Sequence, residues 1–247
     1  SGTSILAIRM VPGAVMMTSG AQAHVTAFWS AVAPGYEARG GNVAQYGTAA
    51  YQHWMDALAG GLSDPPADVL EVATGTGYLA LAAAGLGHNV TAIDLSPPML
   101  DELRAHAAER GLTVEARLGD AVAPDFPPER FDAVTNRHLL WTLREPDKAM
   151  VNWWSLLRPG GQVLAVDGFW FTKSEEGEVP PLFAEHYTSE TREELPFMFL
   201  DRPDPIVDML RAVGFTEVTA EPRAELAIES GVPYFFTGRR PHNSQHS

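Results

Sequence analysis

The stretch Val69-Leu70-Glu71-Val72-Ala73-Thr74-Gly75-Thr76-Gly77-Tyr78-Leu79-Ala80 decides the fold. An apolar run ends at an acid, passes through a turn with two glycines and enters an Ala/Leu-rich segment. That order predicts a strand, a tight loop and a helix N-terminus, an arrangement that turns backbone N–H groups toward a ligand. Gly75 and Gly77 remove the side chains that would block close approach and permit unusual backbone dihedrals. The loop alone leaves the ligand open, because Gly75-x-Gly77-x-x-Ala80 also fits a dinucleotide fingerprint.

The stretches that follow narrow it. Asn89-Val90-Thr91-Ala92-Ile93-Asp94 reads as a second strand ending in an acid, and Ser96-Pro97 then opens a helix as N-cap and first helical residue. A carboxylate at 94 can accept from both hydroxyls of a ribose, a role that nicotinamide and S-adenosylmethionine sites share. Val114 to Ala121 gives a third strand ending Gly119-Asp120, where a carboxylate can accept from an adenine amino group. Phe131-Asp132-Ala133-Val134-Thr135-Asn136-Arg137-His138 and Leu157-Arg158-Pro159-Gly160-Gly161, running on to Val166, come next.

With these motifs in order, the chain resembles the class I S-adenosylmethionine-dependent methyltransferases, in their small-molecule branch. The matching residues are Glu71-x-Ala73-x-Gly75-x-Gly77, Asp94, Gly119-Asp120, Phe131-Asp132-Ala133-Val134 and Leu157-Arg158-Pro159-Gly160-Gly161. The likeness is close over residues 68 to 170 and loose on either side. It implies S-adenosylmethionine as cofactor and a Rossmann-like, doubly wound, mostly parallel seven-stranded sheet whose last strand is antiparallel. The family pattern has glycine where Ala73 stands, and Ala73 is expected at the strand end without positive φ. The cofactor set these readings give is Tyr36, Tyr46, Glu71, Ala73, Thr74, Gly75, Gly77, Asp94, Leu95, Met99, Gly119, Asp120, Ala121, Asn136 and Arg137.

The bulk numbers fit one catalytic α/β domain. The chain has 247 residues, 45% of them hydrophobic, enough for a substantial core. A formal net charge of −14 disfavours nucleic acid as a partner, since a phosphate backbone would be repelled. There is no cysteine, which excludes disulfides, a thiolate nucleophile and a Cys-ligated metal. Ile5-Leu6-Ala7-Ile8 is cut short by Arg9, Pro12 and Gly13, far below the ~20 residues of a membrane span, so neither a membrane anchor nor a signal peptide is expected. The expected location is cytoplasmic, and a homodimer is an open possibility.

Coarse periodicity predicts helices over 23–32 and 45–58, then strand 68–73, helix 76–86, strand 89–94, helix 97–110, strands 113–118 and 131–136, helix 145–157 and strand 162–168. A helix over 203–213 and strands over 216–226 and 233–239 close the pattern. Alternating strands and helices give a parallel sheet covered on both faces, with ligands outside the carboxyl ends of the strands. The expected organisation is an N-terminal extension (1–23), a helical cap (24–62), a cofactor core (63–170), a cap insertion after strand 5 (171–202) and a C-terminal helix and strands (203–240). The insertion breaks the alternation and is rich in aromatics, as binding lids are.

Methyl transfer from a sulfonium needs the nucleophile, methyl and sulfur in line, with water excluded. Tyr36 and Tyr46 are candidates for cation–π contact with the sulfonium. His138, just past the fourth strand, is the candidate general base, its ordinary pKa near 6.5 suiting proton removal at neutral pH. Arg137 beside it could instead anchor a substrate carboxylate. Trp141, Trp170 and Tyr187 are the candidate substrate contacts, whereas Trp153 and Trp154 are expected to pack on the sheet. The histidines show no close ligand spacing, so no metal is expected. The expected activity is methylation of an O, N or C atom of a small, partly apolar metabolite. Three alternatives stand beside it: a cofactor-binding fold that catalyses a cyclisation or rearrangement, a nicotinamide oxidoreductase, and a non-catalytic cofactor-binding partner subunit.

Overall fold

A computed structural model describes residues 20–36, 47–171, 179–228 and 231–242. Five strands alternate with helices before the chain reaches its cap insertion: β1 (Asp68–Val72), α3 (Tyr78–Gly85), β2 (Asn89–Asp94), α4 (Pro97–Arg110), β3 (Glu115–Leu118), β4 (Phe131–Arg137), α5 (Pro146–Leu156) and β5 (Leu157–Asp167). Among the described residues, two helices precede them, α1 (Gly20–Val32) and α2 (Ala49–Gly61). After β5 come two short helices, α6 (Pro181–His186) and α7 (Ser189–Glu193), then α8 (Asp204–Val213), β6 (Thr216–Pro222) and β7 (Tyr234–Arg239). The seven-stranded sheet has the order β3-β2-β1-β4-β5-β7-β6, and β7 alone runs antiparallel to its neighbours.

The central strands β1, β4 and β5 are buried on both faces because helices cover both. Trp54 and Leu58 of α2, Leu79 and Ala83 of α3 and Leu103 of α4 pack on one face, against Val69, Ala133 and Leu164. Met150 and Trp153 of α5 and Ile206 and Leu210 of α8 pack on the other, against Leu70, Val134 and Val163. Trp153 is fully buried and its indole N–H donates to Ala121 O at 2.8 Å, so this tryptophan is a core residue, as expected. A third, largely aromatic cluster joins α1 to the insertion: Val25, Phe28 and Trp29 meet Trp141, Phe171, Phe183, Tyr187 and Leu195. Residues 179–200 are therefore partly helical and docked on α1, where periodicity shows only a break in the pattern.

The loop after β1 differs from expectation in one respect. Ala73 has φ +53°, so the position does require the left-handed region, and the residue that replaces the family glycine carries the cost of a side chain there, ~1–2 kcal/mol. Gly77 caps α3 at φ +90°, and a Cβ on it would lie 2.3 Å from Leu103 Cδ1. Helix α3 and helix α4 can approach only because that side chain is missing. Gly75 has φ +56° with open space around it. Gly77→Ala should thus lower stability by about 2–4 kcal/mol, the sum of overpacking and backbone strain, and Gly75→Ala by only ~1–2 kcal/mol from backbone strain. Urea unfolding of the two variants checks the ranking.

Candidate functional site

The carboxyl ends of β1, β2, β3 and β4 open into one recess with a cavity volume of about 120 Å3. Its floor is Glu71, Ala73, Thr74, Gly75, Thr76 and Tyr78 from the first loop, and Asp94, Leu95, Ser96 and Met99 from the second. Gly119, Asp120 and Ala121 line one end, Arg137, His138, Leu139, Thr142 and Leu143 another side, and Gln22, Val25, Thr26, Trp29 and Tyr36 the roof.

Backbone donors orient Asp94 and Asp120, and a side-chain hydroxyl orients Glu71. Asp94 Oδ2 accepts from Gly75 N and Oδ1 from Ser96 N, both at 2.8 Å. Ser96 in turn caps α4, its hydroxyl accepting from Met99 N. Asp120 Oδ1 accepts from Val122 N at 2.9 Å, and Oδ2 pairs with Arg144 Nη2 at 2.6 Å. Glu71 Oε2 accepts from Thr74 Oγ1 at 2.7 Å. The Arg137 guanidinium lies 4.5 Å above the Tyr78 ring and 5.5 Å above that of Trp54. A carboxylate oxygen can take more than one donor, so these acids keep acceptor capacity on the recess side.

Not every expected residue reaches the recess. Gly77 lies beneath the loop, against Leu103. Asn136 is fully buried within β4, and neither its amide oxygen nor its amide nitrogen has a partner among the described residues. Trp141, Trp170 and Tyr187 stand behind the wall: Trp141 stacks on Tyr187 at 5.3 Å between centroids, and the Tyr187 hydroxyl is spent on Thr142 Oγ1 at 2.8 Å. Trp170 donates to Asp167 Oδ1 at 2.8 Å and rests on the His138 ring. All three pack within the aromatic cap cluster or against His138 and do not line the recess itself. Tyr46 lies outside the described residues. Conversely, Gln22, Thr26, Trp29, Thr142 and Arg144 were missed. Gln22 even falls inside the expected N-terminal extension, because α1 begins at Gly20.

Burial sets the protonation of the site. Glu71, shut away from water, has its pKa pushed up to about 8 despite Thr74 and the nearby Arg137 charge. Desolvation likewise raises Asp94, and raises Asp167 to about 6. His138 moves the other way: burial first, then the Arg137 charge, hold its pKa well below 6.5. Its imidazole is therefore held neutral at pH 7. His138 also sits at φ +55°, held by its N–H on Val166 O at 2.7 Å.

An acid with a raised folded pKa stabilises the fold below its unfolded pKa, and the contribution is lost as pH rises through the folded value. For Glu71 that window runs from 4.5 to about 8. Wild type should lose more melting temperature between pH 6.5 and pH 9 than Glu71→Gln does, since the amide cannot ionise. Equal losses would show that Glu71 is already charged at pH 6.5.

A methyltransferase domain family matches residues 69–161. Nocamycin O-methyltransferase of Saccharothrix syringae is 32% identical over 170 residues, covering 62% of this chain and 61% of that protein. Demethylmenaquinone methyltransferase of Thermus thermophilus is 37% identical over 108 residues, covering 43% and 49%. The chain thus spans about half to three-fifths of the length of these curated relatives. Among solved structures, the 4+2 cyclase SpnF superposes with TM-score 0.67 at 20% identity, over 91% of this chain and 97% of that one. Haemonchus contortus phosphoethanolamine N-methyltransferase 2, solved with S-adenosyl-L-methionine, gives TM-score 0.67 at 19% identity, over 92% and 61%. These two establish the fold. The glycine loop, the acids at the ends of β1, β2 and β3 and the matched family together make residues 69–161 a methyltransferase domain.

Proposed function

We propose that this protein transfers a methyl group from S-adenosylmethionine to a hydroxyl oxygen of a small, partly apolar metabolite. One observation carries the reading: a single roofed recess runs from the acids at the ends of β1, β2 and β3 to His138, Thr142 and Trp29. The acids fit the cofactor, since each keeps acceptor capacity where a cationic, hydroxyl-rich ligand needs it. Asp94, already oriented by two backbone N–H groups, would take the ribose hydroxyls, and Asp120 the adenine amino group. Glu71 would accept from the ammonium of the methionine tail and Arg137 would pair with its carboxylate. Once bound, S-adenosylmethionine supplies an electrophilic methyl on a sulfonium.

The remaining work falls to this chain's own residues. Trp29, Val25 and Leu139 exclude water and hold the acceptor against the methyl. The unprotonated ring nitrogen of His138 accepts the hydroxyl proton as the oxygen attacks. The Arg137 charge, which already acts on His138, disfavours an ammonium product and so supports oxygen over nitrogen as acceptor. A weak base limits the acceptor to an acidic hydroxyl such as a phenol or enol. The net charge of −14 argues against a nucleic-acid acceptor, and the reading carries a cytoplasmic location. No helix among the described residues is long and apolar enough to cross a membrane.

Incubation with methyl-labelled S-adenosylmethionine and pooled metabolites tests the activity. Label should enter a small phenolic or enolic product. Cofactor-dependent conversion without label would favour a cyclisation instead, and binding of a nicotinamide dinucleotide in place of S-adenosylhomocysteine would overturn the cofactor. His138→Ala should slow labelling by about 10²–10⁴-fold while calorimetry finds S-adenosylhomocysteine affinity unchanged. Asp94→Ala should weaken S-adenosylhomocysteine by roughly 2–4 kcal/mol, as two charge-assisted hydrogen bonds go. An unaltered dissociation constant would remove Asp94 from the site.

A further inference from the structure

Arg144 belongs to no motif, yet it joins three elements. Its Nη2 pairs with Asp120 Oδ2 at 2.6 Å, its Nη1 reaches Asp120 Oδ1 at 3.4 Å, and its Nε lies 3.2 Å from Glu145 Oε2 at the head of α5. The same Nη1 donates to the Gln22 side-chain oxygen of α1. Gln22 is oriented for this by its own amide N–H, which donates to Thr26 Oγ1 at 3.1 Å. The Arg144 side chain is 13% exposed and that of Asp120 5%, so the pair is screened little by water.

Helix α1 has a second tie. Ser30 Oγ donates to Ser96 Oγ at 2.9 Å, and the Ser96 N–H is the one that holds Asp94 Oδ1. Gln22 and Ser30 are eight residues apart, about 12 Å along a helix. Between them Val25, Thr26 and Trp29 face the recess. The roof is therefore bolted at each end to a carboxylate of the floor, through Arg144 to Asp120 and through Ser96 to Asp94.

We infer that Arg144 is a positioning residue that couples the adenine end of the site to the roof helix α1. It aims the Asp120 carboxylate and, through Gln22, holds the acceptor wall of Val25, Thr26 and Trp29 over the cofactor. The inference rests on the reading of Asp120 as the adenine acceptor. Both ties hold α1 over the recess, so lifting of α1 widens the mouth through which the cofactor enters, and the wall for the acceptor re-forms as α1 returns. Lysine cannot replace arginine here, because one ammonium on a flexible stem does not span Asp120 and Gln22 with fixed geometry.

Stopped-flow tryptophan fluorescence with S-adenosylhomocysteine, together with hydrogen exchange over residues 20–32, separates the possibilities. In wild type, S-adenosylhomocysteine should slow exchange across α1. Gln22→Ala, which leaves the Asp120 pair intact, should quicken association and dissociation together, each by about tenfold, so that affinity changes far less than either rate. It should also cancel the ligand-induced protection of 20–32, and Arg144→Lys should do the same with an unchanged melting temperature. Asp120→Asn should quicken dissociation alone and keep the protection for whatever ligand is bound. Rates unaffected by Gln22→Ala, or a faster dissociation alone with protection retained, would overturn the coupling. Unaltered binding in Asp120→Asn would instead overturn the adenine reading on which it rests.

Discussion

The carboxylate of Asp94 is the constraint on which the site depends. One oxygen holds the loop after β1 through Gly75 N, the other holds the start of α4 through Ser96 N. Thr74 N bonds Ile93 O and Gly119 N bonds Asp94 O, so three strand ends are stitched into one rim around this residue. Ser96 then passes the constraint on to α1. A buried acid costs free energy unless its lone pairs are met, and here backbone amides meet them. That is why the loop geometry needs Gly75 in a left-handed conformation: the turn must bring its N–H back to the neighbouring strand.

Charge and burial work against each other at the rim. The chain is acidic overall, and it gathers carboxyl groups where water has little access. Desolvation dominates each shift and drives Glu71 and Asp167 toward the neutral form, with hydrogen bonds and Arg137 offsetting only part of it. The site is thus poised to become negative when a cation enters, rather than standing as a fully charged acidic cleft. Asp120 is paired with the Arg144 guanidinium at 2.6 Å.

How much of this was legible in the sequence follows from the range of each interaction. Strand alternation, the Ser96-Pro97 cap and the Gly119-Asp120 strand end are local signals, and the sheet they imply is the one found. Ala73 misled, since nothing in an alanine advertises a left-handed backbone. Arg144 and Gln22 are 122 positions apart, and no local pattern connects them. The aromatics of the insertion were visible as a group, but Trp141 and Tyr187 stack on one another rather than on the recess, and which face an aromatic turns inward is a tertiary fact. His138 was placed at the rim from its position alone, whereas its depressed basicity comes from burial and from Arg137.

The strand order also bears on how the sheet is completed. β7 lies between β5 and β6, so the last strand in sequence fills an internal place. Until residues 234–239 are added, β5 presents a free row of backbone donors and acceptors from Gln162 to Asp167, on an apolar strand whose Val163, Leu164 and Val166 are wholly buried in the finished fold. Such an edge is a template for pairing with another chain. A ribosome-bound or C-terminally clipped form would therefore carry nearly all of the cofactor rim and yet be adhesive, and chaperone capture would matter most in that interval. The hairpin of β6 and β7 acts as a closing clasp, and its arrival, more than that of the rim, separates a soluble product from an aggregating one.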